Sequence, residues 1–280
     1  MTRSLCIALI LLAASSVDAA EKSLNRTFEV SPGGTLTVDA DAGSVRVSGA
    51  DTNQVTVRMS VRDSEDNLAN TNLDAVRNSG DVTVTLRRKW KWSWFNWGSQ
   101  NGDARIEVTV PRHYGVNVRT GGGGVELRDT TGSATLRTSG GDIAARNVNG
   151  NIELRTSGGG ILAESIRGDV DANTSGGDIR LLRIDGKIQG QTSGGSVRCS
   201  LVGSNRGVFA STSGGDIELT LPRAASGNLD ASTSGGNITT DLPVTTTVLK
   251  EDRLRGSLNS GGQPIEARTS GGNIRLRAAN

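Results

Sequence analysis

Most aromatic residues of this 280-residue chain lie in one short segment beside basic residues. All four tryptophans and one phenylalanine fall between positions 90 and 97: Trp90, Trp92, Trp94, Phe95 and Trp97. Alternation at 90, 92 and 94 predicts three rings on one face of an extended segment. Such a face suits sugar rings, a protein partner or a membrane interface. We predict a hairpin between strands at 81–88 and 104–110, whose rings either bind a ligand or cap the core.

A second feature with possible chemistry is a set of regularly spaced arginines. Arg119, Arg137 and Arg155 recur every 18 residues. If the chain repeats its path with that period, their guanidinium groups form a row about 5 Å apart on the outer face. Such a row would fit an acidic polysaccharide. The alternative is a solvated charge row that acidic neighbours such as Glu153 cancel.

The residues needed for catalysis or metal binding are sparse. His113 is the single histidine, and no nucleophile motif lies beside it. Asp142 and Asp178 follow glycine pairs, but Gly160 and Ser196 hold the same place in other copies, which is typical of turns. No copy carries the glycine-rich nonapeptide that binds calcium. We therefore predict no catalytic residues, no cofactor and no metal site.

The first residues predict the cellular compartment. Arg3 precedes a ten-residue apolar run, and Val17-Asp18-Ala19 resembles a cleavage site, so residues 1–19 are predicted to be a signal peptide. Ten apolar residues are too few to span a bilayer, and we expect no transmembrane segment. After cleavage Cys199 is the only cysteine, which excludes an internal disulfide. A net charge of +2 argues against nucleic acid as a partner.

An internal repeat dominates the chain after residue 115. Thr-Ser-Gly-Gly starts at 138, 156, 174, 192, 212, 233 and 269, and a Thr-Gly-Gly-Gly variant starts at Thr120. The final gap of 36 residues predicts one degenerate copy within it. Apolar residues recur four and two positions before the threonine, and five, seven and ten after it. Those at the fifth position are all β-branched: Val125, Ile143, Ile161, Ile179, Val197, Ile217, Ile238 and Ile274.

This pattern predicts an all-β fold, a single-stranded β-helix or β-solenoid of about 18 residues per coil. Each coil has two short strands joined by a corner, where paired glycines would allow positive φ. Stacked coils bury their apolar residues as ladders. The threonine faces inward, and its hydroxyl is expected to bond to corner backbone or to the next threonine. Cys199 lies at an inward position and is expected to be a buried core residue.

The amino-terminal part departs from the repeat after one coil. Residues 36–50 reproduce the apolar offsets around Ala40. Alternating segments then predict strands near 55–61, 82–86 and 106–110, with a short helix over Leu68, Leu73 and Val76. We divide the mature chain into 20–115, a first coil and cap region with the tryptophan-rich hairpin, and 116–280, the solenoid. The cap would protect the terminal coil from edge pairing.

Three motifs make the sequence resemble a known bacterial family. They are the Thr-Ser-Gly-Gly-Asp-Ile copies, Gly-Asn-Ile-Glu-Leu at 150–154 and Ile-Glu-Val-Thr-Val-Pro at 106–111. The sequence is similar to the "putative adhesin" family of unknown function, which is related to autotransporter adhesin head domains with Gly-Ile-Asn motifs. The resemblance implies a right-handed β-helix in an exported protein that is periplasmic, cell-surface or secreted. It implies no catalytic residues.

These observations favour a non-enzymatic, adhesin-like or envelope-associated binding protein. Its expected partners are a polysaccharide or other envelope component, and a protein at the tryptophan-rich segment. One alternative is a β-helix lyase or glycoside hydrolase, which needs acidic residues converging on one face. The other is a structural or regulatory accessory protein of the envelope, in which the tryptophans are buried.

Overall fold

The computed structural model describes residues 20–89 and 103–279 as two long β-sheets with one short helix. The first sheet has 12 strands, in the order β1-β4-β7-β3-β9-β11-β13-β15-β17-β19-β25-β21. The second has 13 strands, in the order β22-β23-β20-β24-β18-β16-β14-β12-β10-β8-β2-β6-β5. The all-β prediction is confirmed. Within the described residues, no helix has the length and apolar character needed to cross a membrane.

The first sheet is formed by β1 (Ala20–Glu29), β3 (Ser44–Ala50), β4 (Gln54–Asp63), β7 (Asp103–Pro111), β9 (Val125–Thr131), β11 (Ile143–Asn149), β13 (Ile161–Arg167), β15 (Ile179–Asp185), β17 (Val197–Leu201), β19 (Ile217–Leu221), β21 (Ile238–Thr240) and β25 (Ile274–Ala278). The second is formed by β2 (Thr35–Ala40), β5 (Thr71–Asn78), β6 (Asp81–Arg88), β8 (Gly115–Thr120), β10 (Ala134–Thr138), β12 (Ile152–Arg155), β14 (Val170–Asn173), β16 (Ile188–Gln191), β18 (Val208–Ser211), β20 (Gly227–Thr233), β22 (Val244–Leu249), β23 (Arg253–Leu258) and β24 (Pro264–Thr269). The helix α1 spans Glu65–Ala69.

Successive repeats stack in register, so equivalent residues become neighbours. Ile143 pairs with Ile161, and Ile161 with Ile179, in parallel strands. Their side chains are at most 2% exposed. The predicted ladder at the fifth position after the threonine is therefore present between the two sheets, with Ile238 half-buried at its end.

The threonine of each repeat ties its corner to the preceding coil. Thr156 Oγ1 donates to the carbonyl oxygen of Gly141 at 2.9 Å, and Gly159 N–H donates to Thr156 Oγ1 at 3.3 Å. The same donor geometry recurs in the other repeats, at 2.7–2.9 Å. Because the hydroxyl is buried, each bond satisfies a polar group that would otherwise be costly inside the core. The predicted bond to corner backbone is confirmed.

The paired glycines serve a different purpose from the one predicted. None of the glycines in the Thr-Ser-Gly-Gly corners has a φ in the left-handed region. A Cβ on Gly159 would instead lie 2.1 Å from the carbonyl oxygen of Gly141, and one on Gly177 would lie 2.3 Å from that of Gly159. The second glycine of each pair is therefore required by close backbone stacking between coils. The prediction of positive φ at these corners is wrong.

Positive φ occurs elsewhere in the coil, where the strands of the first sheet bend. Asn147, Ser165 and Arg183 have φ values of 54°, 57° and 54°. Each stands nine positions after its threonine, and the next residue points inward. One left-handed residue reverses the alternation of inward and outward side chains along the strand. For that reason the next inward residue stands ten positions after the threonine rather than nine or eleven.

The amino-terminal region extends both sheets. β2 pairs with β8 and β3 with β9, so residues 36–50 form the predicted first coil. The helix is shorter than predicted: it contains Leu68, whereas Leu73 and Val76 lie on β5.

The predicted hairpin between 81–88 and 104–110 is wrong, because β6 pairs with β2 and β5 in the second sheet and β7 pairs with β3 and β4 in the first. The alternation of apolar residues shows which side of a strand faces the core, but it does not show which sheet the strand joins.

Basic side chains close the amino-terminal end of the second sheet. β5 is the edge strand there, and β1 is the edge strand of the first sheet. Two basic residues of β1 bond to the backbone of β5. Lys22 Nζ donates to the carbonyl oxygen of Thr71 at 2.6 Å, and Arg26 donates to the carbonyl oxygen of Ala75 at 2.5 Å. These side chains occupy acceptors that an added strand would use, a common protection of sheet edges.

The carboxyl-terminal repeats do not stack in sequence order. The degenerate copy predicted between residues 233 and 269 is wrong, because β22 and β23 form an antiparallel hairpin on β20. The chain then returns, and β24 inserts between β18 and β20 while β25 inserts between β19 and β21. The last repeat in the sequence is thus the penultimate coil of the stack.

The two glycines of one corner provide a matched test of backbone stacking. We expect Gly159→Ala to lower the free energy of unfolding by roughly 1–3 kcal/mol, because the added carbon overlaps the Gly141 carbonyl. Gly158→Ala is the control, since its Cβ would lie 3.5 Å from the Gly140 carbonyl oxygen. Urea denaturation of both variants gives the comparison. Equal losses would contradict the assigned role of the second glycine.

Candidate binding surfaces

The aromatic candidates lie outside the described residues. Trp90, Trp92, Trp94, Phe95 and Trp97 all fall within 90–102. The residues before this segment end β6 in the second sheet, and those after it begin β7 in the first. Their proposed role as a binding face or a cap stays a prediction.

The arginine row has the arrangement that the sequence predicts. Arg119, Arg137 and Arg155 lie on β8, β10 and β12 and pair directly with one another in register. Their neighbours on either side in each strand point inward, so the three guanidinium groups share the outer face of the second sheet. The side chains of Arg137 and Arg155 are about half exposed.

Carboxylates neutralise most of this row. Arg137 donates to Glu153 at 2.8 Å, and Arg155 bonds to the same carboxylate. Arg155 also lies 3.4 Å from Asp171. Hydrogen bonds from Arg137 and Arg155 lower the pKa of Glu153, and the bond to Glu153 raises the pKa of Arg155. Among the described residues Arg119 alone in the row lacks a carboxylate partner, so little free positive charge remains.

The acidic residues after the glycine pairs hold the backbone of the next coil. Asp142 accepts a hydrogen bond from Gly160 N–H at 2.7 Å, and Asp178 accepts one from Ser196 N–H at 2.9 Å. Asp216 accepts one from Asn273 N–H at 2.7 Å, in the coil that follows it in space. These contacts agree with the turn role predicted for the residues, and they use oxygen atoms that an acid–base pair would need.

Neither Cys199 nor His113 forms part of a reactive cluster. Burial raises the pKa of the Cys199 thiol to about 12, which suppresses the reactive thiolate. His113 is exposed and makes a backbone bridge to Thr131. Over residues 20–89 and 103–279, no three His, Cys, Asp or Glu side chains are grouped to hold a metal ion.

Sequence reasoning missed a set of shallow grooves on the outer face of the first sheet. One groove of about 540 Å³ is lined by Arg46, Arg105, Glu107, Glu126 and Arg146. Its residues come from β3, β7, β9 and β11, of which β3 is distant from the others in the chain. Only the order of strands in the sheet brings them together, and no motif of the sequence marks them.

The family comparison covers nearly the whole fold. The model of the Toastrack DUF4097 family matches residues 34–277. No curated protein matches the chain.

Several solved structures are similar over most of their length, at low sequence identity. A "putative adhesin" from Bacteroides fragilis is 12% identical, with 94% of this chain and 100% of that chain covered and a TM-score of 0.45. A "putative adhesin" from Parabacteroides merdae is 9% identical, with 92% and 97% covered and a TM-score of 0.38. A "Putative lipid binding protein" from Parabacteroides distasonis is 13% identical, with 94% and 99% covered and a TM-score of 0.30.

Glu153 provides a test of the arginine row. Its lowered pKa means that it stabilises the fold above the ordinary glutamate value of 4.5, and that this contribution is lost as the pH falls through the lowered value. We expect Glu153→Gln to cost about 1 kcal/mol or less at neutral pH, because the pairs are partly exposed. In acid the variant and the parent should converge in thermal midpoint.

The control is Gln189→Ala, at the equivalent position two coils further along. Gln189 is uncharged, so its effect on the thermal midpoint should not change with pH. A difference between Glu153→Gln and the parent that persists undiminished in acid would contradict the assignment.

Proposed function

This chain belongs to the Toastrack DUF4097 family, and we propose that it is an exported, non-enzymatic binding protein of the adhesin type. The ligand we propose is a glycan of the cell envelope or of a neighbouring cell surface. The proposal depends on how the fold presents its side chains rather than on any single pocket.

The observation that carries the proposal is the in-register row of outward side chains along the second sheet. Residues one position before each threonine pair in register from β8 to β18. In order, they are Arg119, Arg137, Arg155, Asn173, Gln191 and Ser211. In-register strands place them about 4.8 Å apart. A rigid row of polar side chains suits a ligand that itself repeats, as a polysaccharide does.

The contrast between inner and outer positions supports this interpretation. Inward residues at the fifth position are valine or isoleucine in every repeat, whereas the outward row changes from arginine to amide to serine. The core therefore leaves the outer residues free to differ without a packing cost. The acidic residues at the corners bond to backbone, which supports a binding role over acid–base chemistry.

Export is supported by the pattern of the first residues, in which Arg3, a ten-residue apolar run and Val17-Asp18-Ala19 are typical of a signal peptide. Cleavage after Ala19 would leave Ala20 as the first residue of the mature chain. Mass analysis of the protein recovered from the cell envelope should give a chain that starts at Ala20.

A glycan array tests the binding proposal directly. The mature chain and a variant lacking residues 90–97 are compared, with their thermal midpoints as a control for folding. We expect the mature chain to bind at least one glycan class. We expect the deletion to weaken that binding about tenfold, as loss of stacked aromatic contacts would.

The two parts of this prediction are judged separately. Failure of the mature chain to bind any glycan would contradict the proposed function. Unchanged binding by a folded deletion variant would remove the aromatic segment from the site, while the proposed function would stand.

A further inference from the structure

Four arginines meet on the outer face of the first sheet at its amino-terminal end. Arg58 lies on β4, Arg105 on β7, Arg46 on β3 and Arg128 on β9. These four strands are consecutive in the sheet, so the arginines span three strand spacings, about 14 Å. We call them the arginine groove, since they line shallow grooves of about 540 and 300 Å³ that share Arg46 and Glu107.

The register places these side chains around one carboxylate. Glu107 pairs with Arg58 on one side and with Arg46 on the other. Arg105 lies two residues before Glu107 on β7, so both side chains are on the same face of that strand. Arg128 lies on β9, where it pairs in register with Ser48 of β3. The groove is therefore a compact surface and not a line along the repeat.

Most of the guanidinium groups in the arginine groove have no carboxylate partner among the described residues. Arg46 is the paired member, with Glu126 at 2.8 Å and Glu107 at 3.9 Å. Arg58 and Arg105 make no ion pair or hydrogen bond with any described residue, and Arg128 bonds only to the Ser48 hydroxyl, at 2.9 Å. Glu126 is shared further with Arg146. Three of the four arginines in the groove thus lack a carboxylate partner among the described residues, whereas only Arg119 lacks one in the row on the second sheet.

Hydroxyl groups fill the positions between these arginines. Ser44 and Ser60 flank Arg105 in register, and Ser48 and Thr56 flank Thr109. Hydroxyls can donate to and accept from the hydroxyl groups of a sugar. Over the described residues the groove carries no aromatic side chain on which bases could stack, which counts against nucleic acid. It also exposes no large apolar residue that would enter a lipid surface.

We propose that the arginine groove binds an acidic polysaccharide, with Arg58, Arg105 and Arg128 contacting its carboxylate or sulfate groups and the hydroxyls contacting its sugar rings. Arginine suits this role because its planar fork binds such anions through two parallel hydrogen bonds. The inference rests on the proposed function. It transfers the anionic contacts from Arg119, Arg137 and Arg155, of which the last two are paired with carboxylates, to arginines that make no ion pair with any described residue.

The test compares two triple variants of the mature chain. The first is Arg58→Gln, Arg105→Gln and Arg128→Gln, and the matched control is Arg119→Gln, Arg137→Gln and Arg155→Gln. Polygalacturonate is the carboxylated probe, dextran sulfate the sulfated probe and plain dextran the neutral one. We expect the groove variant to lose at least about tenfold in affinity for an acidic probe, and the control to change by less than about threefold.

Two further measurements keep the result interpretable. Added salt should weaken binding of the parent, because exposed charge contacts are screened within about 10 Å at 0.1 M. If the triple variant fails to fold, the single exchange Arg105→Gln replaces it, since that side chain bonds to no described residue. It should still lower affinity for the acidic probes.

The outcomes separate the inference from the proposed function. Equal or greater loss in the control, or full binding by the folded groove variant, would overturn the groove as the site. Binding to dextran but to neither acidic probe would also overturn it, and the proposed function would stand. Tighter binding to DNA or to anionic vesicles than to both acidic probes would overturn the ligand class. Absence of binding to every polysaccharide would overturn both.

Discussion

Close contact between backbones at the glycine corners is the constraint on which the rest of this structure depends. At Gly141, Gly159 and Gly177, an added Cβ would lie only 2.1–2.3 Å from a carbonyl oxygen of the preceding coil. Only glycine therefore fits at these positions. Once coils approach this closely, the threonine hydroxyl can reach the preceding corner, and equivalent side chains fall into register. Ladders of isoleucine and valine follow from that register. An isolated coil would have neither a partner for its backbone nor a way to bury its apolar face.

The same register decides what the outer surface can do. It aligns outward residues into rows, and whether a row carries free charge depends on which residues the neighbouring strands supply. On the second sheet Glu153 pairs with both Arg137 and Arg155, and Asp171 also pairs with Arg155. On the first sheet Arg58 and Arg105 lie beside Glu107 but make no ion pair with any described residue. Two surfaces with similar arginine content therefore differ in their capacity to hold an anion.

Much of this arrangement was predictable because the repeat is local and periodic. The period placed Ile143, Ile161 and Ile179 in one ladder, and it put the arginines of the second sheet on one face. Periodicity gives the inward side of a strand, but it contains no information on which sheet a strand joins or on the order of coils. For that reason the hairpin on 81–88 and the stacking of the last repeat were predicted wrongly. The arginine groove was missed because β4, β7, β3 and β9 are neighbours only in space.

Cross-linking across the displaced last coil tests the stacking account most directly. Ser211 on β18 pairs with Arg268 on β24 and not with Ser232 on β20. Cysteine pairs at 211 and 268, or at 211 and 232, report these alternatives, since a disulfide needs Cα atoms within about 7 Å. Cys199 is buried and should not interfere. The account predicts rapid oxidation of the 211–268 pair in the folded protein and none of the 211–232 pair, and the opposite result would contradict it.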